Sequence, residues 1–241
     1  MHRTRQHATS GEEEYLQVLF WLHEVGLPMT GANLGRALRL SAPTVSEMVG
    51  RLERDGYITR DAERTISFTV SGQADAERIA SRHRLIERFL TDVVGVPWDD
   101  VHEEADRLEH AMTPRFEAYV RASVGDADTC PHGHPIRVGE RVEGVPLADC
   151  AVGARVTVLR FENEAEDLLH YLMANRVAVG RSGEITAKDS EFITVSGEPG
   201  VEPATLTISV AETVSVIAEP SPPPRTALPE QLVLGQGRYG R

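Results

Sequence analysis

The chain has 241 residues, 41% of them hydrophobic and 26% charged, enough for two or three folding units with a buried core, so a miniprotein is excluded. No apolar run approaches the roughly eighteen residues that a membrane span needs, which excludes a membrane protein. Acidic residues outnumber basic ones, 37 against 25, for a formal net charge of -12; this argues against a protein that coats nucleic acid but equally suits carboxylates gathered to hold cations. The polar start from Met1 to Gly11 runs into Glu12, Glu13 and Glu14 and has no apolar signal segment, so the expected location is the cytoplasm. From Glu13 to Glu24, Leu16, Leu19, Phe20 and Leu22 recur at helical spacing, and Gly26 and Pro28 close the helix. Thr30 caps a second helix carrying Leu34 and Leu38, and a third runs from about Ala42 to Asp55 and ends at Gly56. Tyr57-Ile58-Thr59 and Ile66 to Val70 alternate around a charged turn and predict a β-hairpin. Three helices followed by a hairpin is the order of a winged helix-turn-helix.

A long helix is predicted from about Gln73 to Val94, another from Asp99 to Met112 and a third from Pro114 to Val124. Beyond Pro146 the texture changes to short β-branched runs, Ala154 to Leu159, Glu184 to Thr186, Phe192 to Val195 and Thr205 to Val216, with one helical segment near Glu164 to Met173. These runs predict a small, mostly β domain. The proline-rich end from Glu219 to Arg241 reads as a mobile tail. The expected fold class is therefore α+β and multidomain. Its divisions are 1–72 (winged helix-turn-helix), 73–138 (helical), 147–218 (small β domain) and 219–241 (tail).

The segment from His102 to His110 carries the most chemistry. On a helix, His102, Asp106, Glu109 and His110 fall within an arc of roughly 100°, beside an apolar stripe of Val101, Ala105, Leu108 and Met112. His83 and Glu87 stand four apart on the preceding helix and point together. Any single pair of this kind reads as an intrahelical ion pair on a wet surface, but six ligand-type residues in two phased clusters favour a metal. Nitrogen and carboxylate donors suit Mn2+ or Fe2+, although intrinsic affinity favours Cu2+ or Zn2+, so the donors leave the metal open. Cys130 and His132 sit two apart on a turn and are either a ligand pair or part of a loop with an uncoordinated thiol. With two cysteines in the chain, a disulfide framework is not expected. Gly235 to Gly240 matches a dinucleotide glycine pattern with no helix after it to receive a pyrophosphate, and is read as tail composition. No metalloprotease, Walker or nucleophile-elbow motif occurs, so an enzyme is not expected.

In the third helix, Ser41, Pro43, Thr44, Ser46 and Glu47 cluster at the N-terminus, where backbone N–H groups and the helix dipole favour phosphate. Arg51, Arg54, Arg60 and Arg64 follow on the helix and wing, and either contact DNA or pair with Glu47, Glu53 and Asp55.

Taken together, Glu14-Tyr15-Leu16, Ala42-Pro43-Thr44-Val45-Ser46, Leu52 to Gly56, Arg82-His83-Arg84-Leu85, Val101 to Ala105 and Glu109-His110 resemble the diphtheria toxin repressor family of iron- and manganese-dependent transcriptional regulators. The resemblance covers about residues 12 to 138. It implies a homodimeric repressor that binds double-stranded operator DNA when metallated and controls metal-uptake genes. It also implies a helical metal-binding dimerisation domain and a C-terminal Src-homology-type β-barrel. By position, one metal set is Glu14, Asp106, Glu109 and His110, and the other is His83, Glu87 and His102. Manganese-type relatives with the β domain use a Cys-x-His pair with the carboxylate equivalent to Glu87 and one barrel acid, here Cys130, His132 and either Glu162 or Glu164. Iron-type members have Met and Cys where this chain has Glu14 and Asp106, so the resemblance leans toward Mn2+. Manganese-type members have Asp, Glu and Glu where it has Glu14, Gln17 and Asp106. The DNA contacts carried over are Ser41, Pro43, Thr44 and Ser46, with Glu47 in place of the glutamine usual in iron-type members. A winged-helix regulator sensing an organic ligand, and a metallohydrolase, are the competing readings.

Overall fold

The computed structural model describes residues 8–197, 201–220 and 222, so the glycine pattern and nearly all of the expected tail lie outside the described residues. The chain packs as two units whose boundary falls between Ala80 and Ser81. In the first unit, α1 (Ser10–Glu24), α2 (Gly31–Leu38) and α3 (Ala42–Arg54) precede the antiparallel hairpin β1 (Ile58–Arg60) and β2 (Ile66–Phe68). The helices begin where capping chemistry starts them. Glu12 accepts hydrogen bonds from the Thr9 N–H and hydroxyl at 2.7 and 2.8 Å, and the Thr30 and Ser41 side chains accept from the Asn33 and Thr44 N–H groups. The apolar faces of these elements are buried, among them Leu16, Leu19, Phe20, Leu34, Leu38, Val45, Val49 and Leu52. Burying them is the main stabilising term, at roughly 1.5–3 kcal/mol for each large side chain.

Helix α4 (Val70–Phe89) begins three residues earlier than the sequence suggests, so Val70 belongs to the helix and not to the wing. It ends in a π-helical turn, Leu90–Val94, closed by Gly95 at φ 87°, instead of continuing to Val94 as an α-helix. The next helix is also shorter than expected: α5 is Val101–Glu109 and stops before His110. Helix α6 (Pro114–Val124) matches the expected limits. Leu85, Ile86, Leu90, Val101, Ala105, Met112, Val120 and Ile136 form the core of this helical part of the second unit.

The rest of the second unit is a six-stranded antiparallel sheet ordered β3-β8-β4-β5-β6-β7. Its strands are β3 (Val145–Pro146), β4 (Arg155–Phe161), β5 (Ser182–Lys188), β6 (Phe192–Val195), β7 (Ala204–Thr207) and β8 (Val214–Glu219), with α7 (Glu166–Ala174) and α8 (Ile208–Ala211) between them. The first half of β5 pairs with β4 and the second half with β6, across a register shift between Ile185 and Ala187, so one strand serves both halves of the sheet. The expected continuous strand from Thr205 to Val216 is two strands separated by α8. Thr207 caps that helix by accepting from the Val210 N–H, a helix start hidden in a β-branched run. A second core, including Val156, Phe161, Leu169, Leu172, Ile185, Ile193, Leu206 and Val216, lies under the sheet, with Trp98 packed against it.

Candidate metal centre and nucleic-acid face

The chemistry converges on Glu87, near the C-terminal end of α4. Its side chain is fully buried, and its Oε1 lies 3.0 Å from His83 Nε2, 3.0 Å from His102 Nδ1 and 3.2 Å from His132 Nδ1. Its Oε2 is buried without a hydrogen-bond partner. The other ring nitrogen of His83 donates to Glu109 at 2.8 Å and stands 3.2 Å from Asp106 Oδ1, itself a buried oxygen lacking a hydrogen bond. Spacing explains the convergence: His83 and Glu87 are one turn apart on α4, and His102, Asp106 and Glu109 share one face of α5.

The third contributor is the turn Cys130–His134. The Cys130 N–H donates to the His134 carbonyl at 2.8 Å, and the Phe161 N–H donates to the His132 carbonyl at 2.9 Å, so the turn lies directly against β4. Gly133 is required there: its φ is 91°, and a Cβ would sit 2.1 Å from the Leu159 carbonyl oxygen. Arg88 anchors the approach, donating to the Thr129 and Cys130 carbonyls at 2.7 and 2.9 Å. His132 Nε2 donates to the Trp98 carbonyl at 2.8 Å, which orients the ring and turns its buried Nδ1 toward Glu87, 3.2 Å away, and Glu164, 3.4 Å away.

Glu164 completes the arrangement between β4 and α7. Its Oε2 is 3.2 Å from His102 Nδ1, and its Oε1 is 3.4 Å from His132 Nδ1 and 3.2 Å from His134 Nε2. Three groups of donor atoms, each within 4.8 Å of one another, result: His83, Glu87, His102 and Glu164; Glu87, Cys130, His132 and Glu164; and His83, Asp106 and Glu109. Such a set of imidazole, carboxylate and thiol donors, with buried lone pairs left over, fits a divalent first-row metal ion.

The local field matches. Burial favours neutral forms, yet the carboxylates of Glu87 and Glu109 hold the His83 pKa well above its ordinary value, and Glu87 and Glu164 do the same for His132. Burial likewise works against the Glu87 carboxylate, but His132 and His83 hold it well below the usual range. Glu164 falls to about 2 against both burial and the Glu87 charge, because His132 and His134 stand beside it. Burial, with Glu109 and Glu87 nearby, pushes Asp106 up to about 6, and burial with the Glu87 charge pushes the Cys130 thiol up to about 11.

Not every expected ligand joins. Glu162 lies elsewhere: Arg141 and Arg160 pair with it at 2.7 and 2.6 Å and Ser215 donates at 2.5 Å, so its oxygens are taken. His110, expected on the same face as Asp106, follows the last residue of α5 and is a quarter exposed, with Nε2 3.6 Å from Glu109. Glu14 lies on α1 in the first unit. Sequence reasoning missed the supporting groups Trp98, His134 and Arg88; of these, only His134 carried a signal, its place in the Cys-x-His-x-His run.

On the first unit, the start of α3 presents Ser41, Pro43, Thr44, Ser46 and Glu47 to solvent, while Val45 and Val49 turn inward. Arg51, expected to face DNA, bonds Glu12 at 3.0 Å and approaches Asp55 at 3.8 Å, and Arg60 pairs with Glu53. Arg54 and Arg64 are exposed and have no ion pair among the described residues. Arg36 and Arg39, in and just after α2, are exposed as well.

The chain thus carries a three-helix winged unit and, in the following unit, a buried cluster of imidazole, carboxylate and thiol donors. Two family models match the chain: the iron dependent repressor N-terminal DNA binding domain over residues 7–65, and the iron dependent repressor metal binding and dimerisation domain over residues 69–137. Together they span just over half of the sequence, and the chain belongs to the iron-dependent repressor family. It is 40% identical over 140 residues to the diphtheria toxin repressor of Corynebacterium jeikeium, covering 58% of each chain. It is 40% identical over 149 residues to the iron-dependent repressor IdeR of Mycobacterium tuberculosis, covering 61% of this chain and 65% of that one. The match thus spans about six-tenths of the length of these curated relatives. Among solved structures, a manganese-dependent transcriptional repressor in complex with manganese superposes with a TM-score of 0.77 at 27% identity, over 86% of this chain and 99% of that one. IdeR of T. acidophilum superposes with a TM-score of 0.71 at 26% identity, over 88% and 98%.

Proposed function

We propose that the protein is a transcriptional repressor that binds double-stranded operator DNA as a homodimer when loaded with a divalent metal, Mn2+ or Fe2+, and controls genes of metal uptake. The observation that carries this reading is Glu87, fully buried among three imidazoles with one oxygen unpartnered. A bound divalent ion supplies the positive charge that lets donors from separate elements meet without repulsion. Glu87, Glu164, His83, His102, Cys130 and His132 are the proposed ligands here, and Glu14, Asp106, Glu109 and His110 are carried over from the resemblance as a further set. With Glu14 and Asp106 in place of Met and Cys, that further set is all hard and favours Mn2+.

The proposed DNA contacts are the α3 N-terminus with Ser41, Pro43, Thr44, Ser46 and Glu47, where N–H groups meet phosphate and short side chains meet base edges. Arg64 on the wing adds charge. The proposed dimer face is the exposed apolar group Leu108, Phe116 and Tyr119 on α5 and α6, 46, 51 and 58% exposed, which a second copy of the chain covers. A repressor of this kind works beside the DNA, in the cytoplasm. Among the described residues no helix is long and apolar enough to cross a membrane.

Linkage requires that metal tighten DNA by the factor with which DNA tightens metal, typically about 5–150-fold. The test is binding to promoter DNA of metal-uptake genes with Mn2+, with Fe2+ under anaerobic conditions, and with EDTA. Tighter binding with metal is expected, and equal affinity in all three overturns the proposal.

A further inference from the structure

We infer that the two overlapping donor groups form one dinuclear centre, in which Glu87 and Glu164 bridge two divalent ions held terminally by His83 and His102 on one side and by Cys130 and His132 on the other. The inference rests on the metal-dependent reading above and adds to it the number of ions and the identity of the bridges.

Three observations carry it. First, the groups share two members: the atoms of His83, His102, Glu87 and Glu164 lie within 4.8 Å of one another, and so do those of Cys130, His132, Glu87 and Glu164, but the six do not form a single group. Ligands on opposite sides of one first-row ion are at most roughly 4.6 Å apart, so one ion cannot take both ends. The rings reflect this spread, with His83 and His102 centroids 4.9 Å apart but His102 and His132 6.2 Å apart.

Second, the Glu164 carboxylate straddles the two ends. Its Oε2 faces His102 at 3.2 Å and its Oε1 faces His132 at 3.4 Å, the arrangement in which each oxygen serves a different ion. Carboxylates of this kind span ions roughly 3.5–4 Å apart. Third, Glu87 brings a second bridge with spare capacity: Oε1 meets nitrogens from both ends, while Oε2 is buried and lacks a hydrogen bond. Each ion then has four protein donors, two nitrogens and two oxygens at one end, and one nitrogen, one sulfur and two oxygens at the other. The ends are chemically unequal, because only one carries the soft thiolate.

The test uses the full-length protein, stripped with a chelator, reloaded with Mn2+, desalted and assayed for bound metal and by electron paramagnetic resonance. Wild type is expected to show an exchange-coupled Mn2+ component, and Glu164→Gln to lose two Mn2+ per protomer together with that component. His102→Ala and Cys130→Ala are expected to lose one ion each and to leave its neighbour uncoupled, which keeps the test decisive if the Glu164 variant unfolds early in urea. Loss of a single ion in Glu164→Gln, or a fully loaded wild type with no coupled component, overturns the dinuclear centre. If DNA binding still depends on metal in that case, the repressor reading survives. A wild type that binds no Mn2+ and ignores metal on DNA overturns both.

Discussion

Two buried charged clusters in the second unit, one around Glu162 and one around Glu87, place the same residue type in opposite surroundings. Glu162 is met by Arg141 and Arg160 and by the Ser215 hydroxyl, and although burial works against the charge, the arginines hold its carboxyl down to about 2. Among the described residues no arginine pairs with Glu87; its neighbours are imidazoles, which give up protons to a metal, and another carboxylate, and one of its oxygens has no hydrogen bond. A buried charge matched by fixed opposite charges stabilises one structure. A buried charge matched by titratable donors is available for exchange with a cation.

The comparison breaks most visibly if the framework carboxylate is removed. Glu162→Ala leaves the buried Arg160 and the part-buried Arg141 without their partner and is expected to cost about 3–5 kcal/mol in urea unfolding, while bound Mn2+ per protomer stays unchanged. Loss of metal with unchanged stability would exchange the roles of the two clusters. The complementary change is Glu87→Gln, similar in size but a far poorer ligand. It is expected to weaken Mn2+ by at least about 100-fold in competition with a chelator, since even supporting groups around metal ligands are worth 10–100-fold.

Proton competition sharpens the contrast further. His83 and His132 have folded pKa values above their ordinary 6.5, so the stability they lend the metal-free protein is complete below pH 6.5 and is lost as pH rises through the raised values. Glu87 and Glu164 have folded values below their ordinary 4.5, so their contribution is present above pH 4.5 and is lost as pH falls through the lowered ones. These four groups therefore contribute most to the metal-free protein between about pH 4.5 and 6.5, while Asp106, raised to about 6, works against stability as pH rises through that range. Mn2+ affinity moves the other way, rising by up to about tenfold per pH unit for each proton displaced. Urea midpoints and metal titrations from pH 5 to 8 check both, and affinity that is flat with pH would mean that no imidazolium yields its proton to the ion.

Much of this was legible in the sequence because it is periodic. The i, i+4 pair His83 and Glu87 and the face of α5 follow from helical spacing, and the first three helices follow from their caps. The choice between Glu162 and Glu164 was not legible, because the register shift between Val158 and Arg160 in β4 breaks the alternation that tells which face a residue takes. Arg160 is buried as a result and captures Glu162, while Glu164 falls beyond the strand end, in the turn where the Asn163 side chain accepts from the Ala165 N–H. His110 follows α5 as its C-cap, with φ -70° and ψ -22°, so the wheel still gives its direction although the helix itself ends at Glu109. Trp98 acts through its carbonyl oxygen, which every residue type has, so no residue identity announces it.

The same rule, applied to the proposed nucleic-acid face, gives the smallest expected effects. Arg51 and Arg64 look alike in sequence, but Arg51 ties α3 to α1 through Glu12 at 3.0 Å, while Arg64 sits exposed in the wing with no ion pair among the described residues. Arg64→Ala is therefore expected to lower the slope of log affinity against log salt by about one, the loss of one phosphate contact, and to leave unfolding unchanged. Arg51→Ala is expected to do the reverse, keeping the salt slope and losing up to about 1 kcal/mol of stability, as a half-exposed pair does. If Arg51→Ala flattens the slope as much as Arg64→Ala, then Glu12 yields its arginine to DNA, and a partnered charge on this face is a reserve contact and not part of the frame.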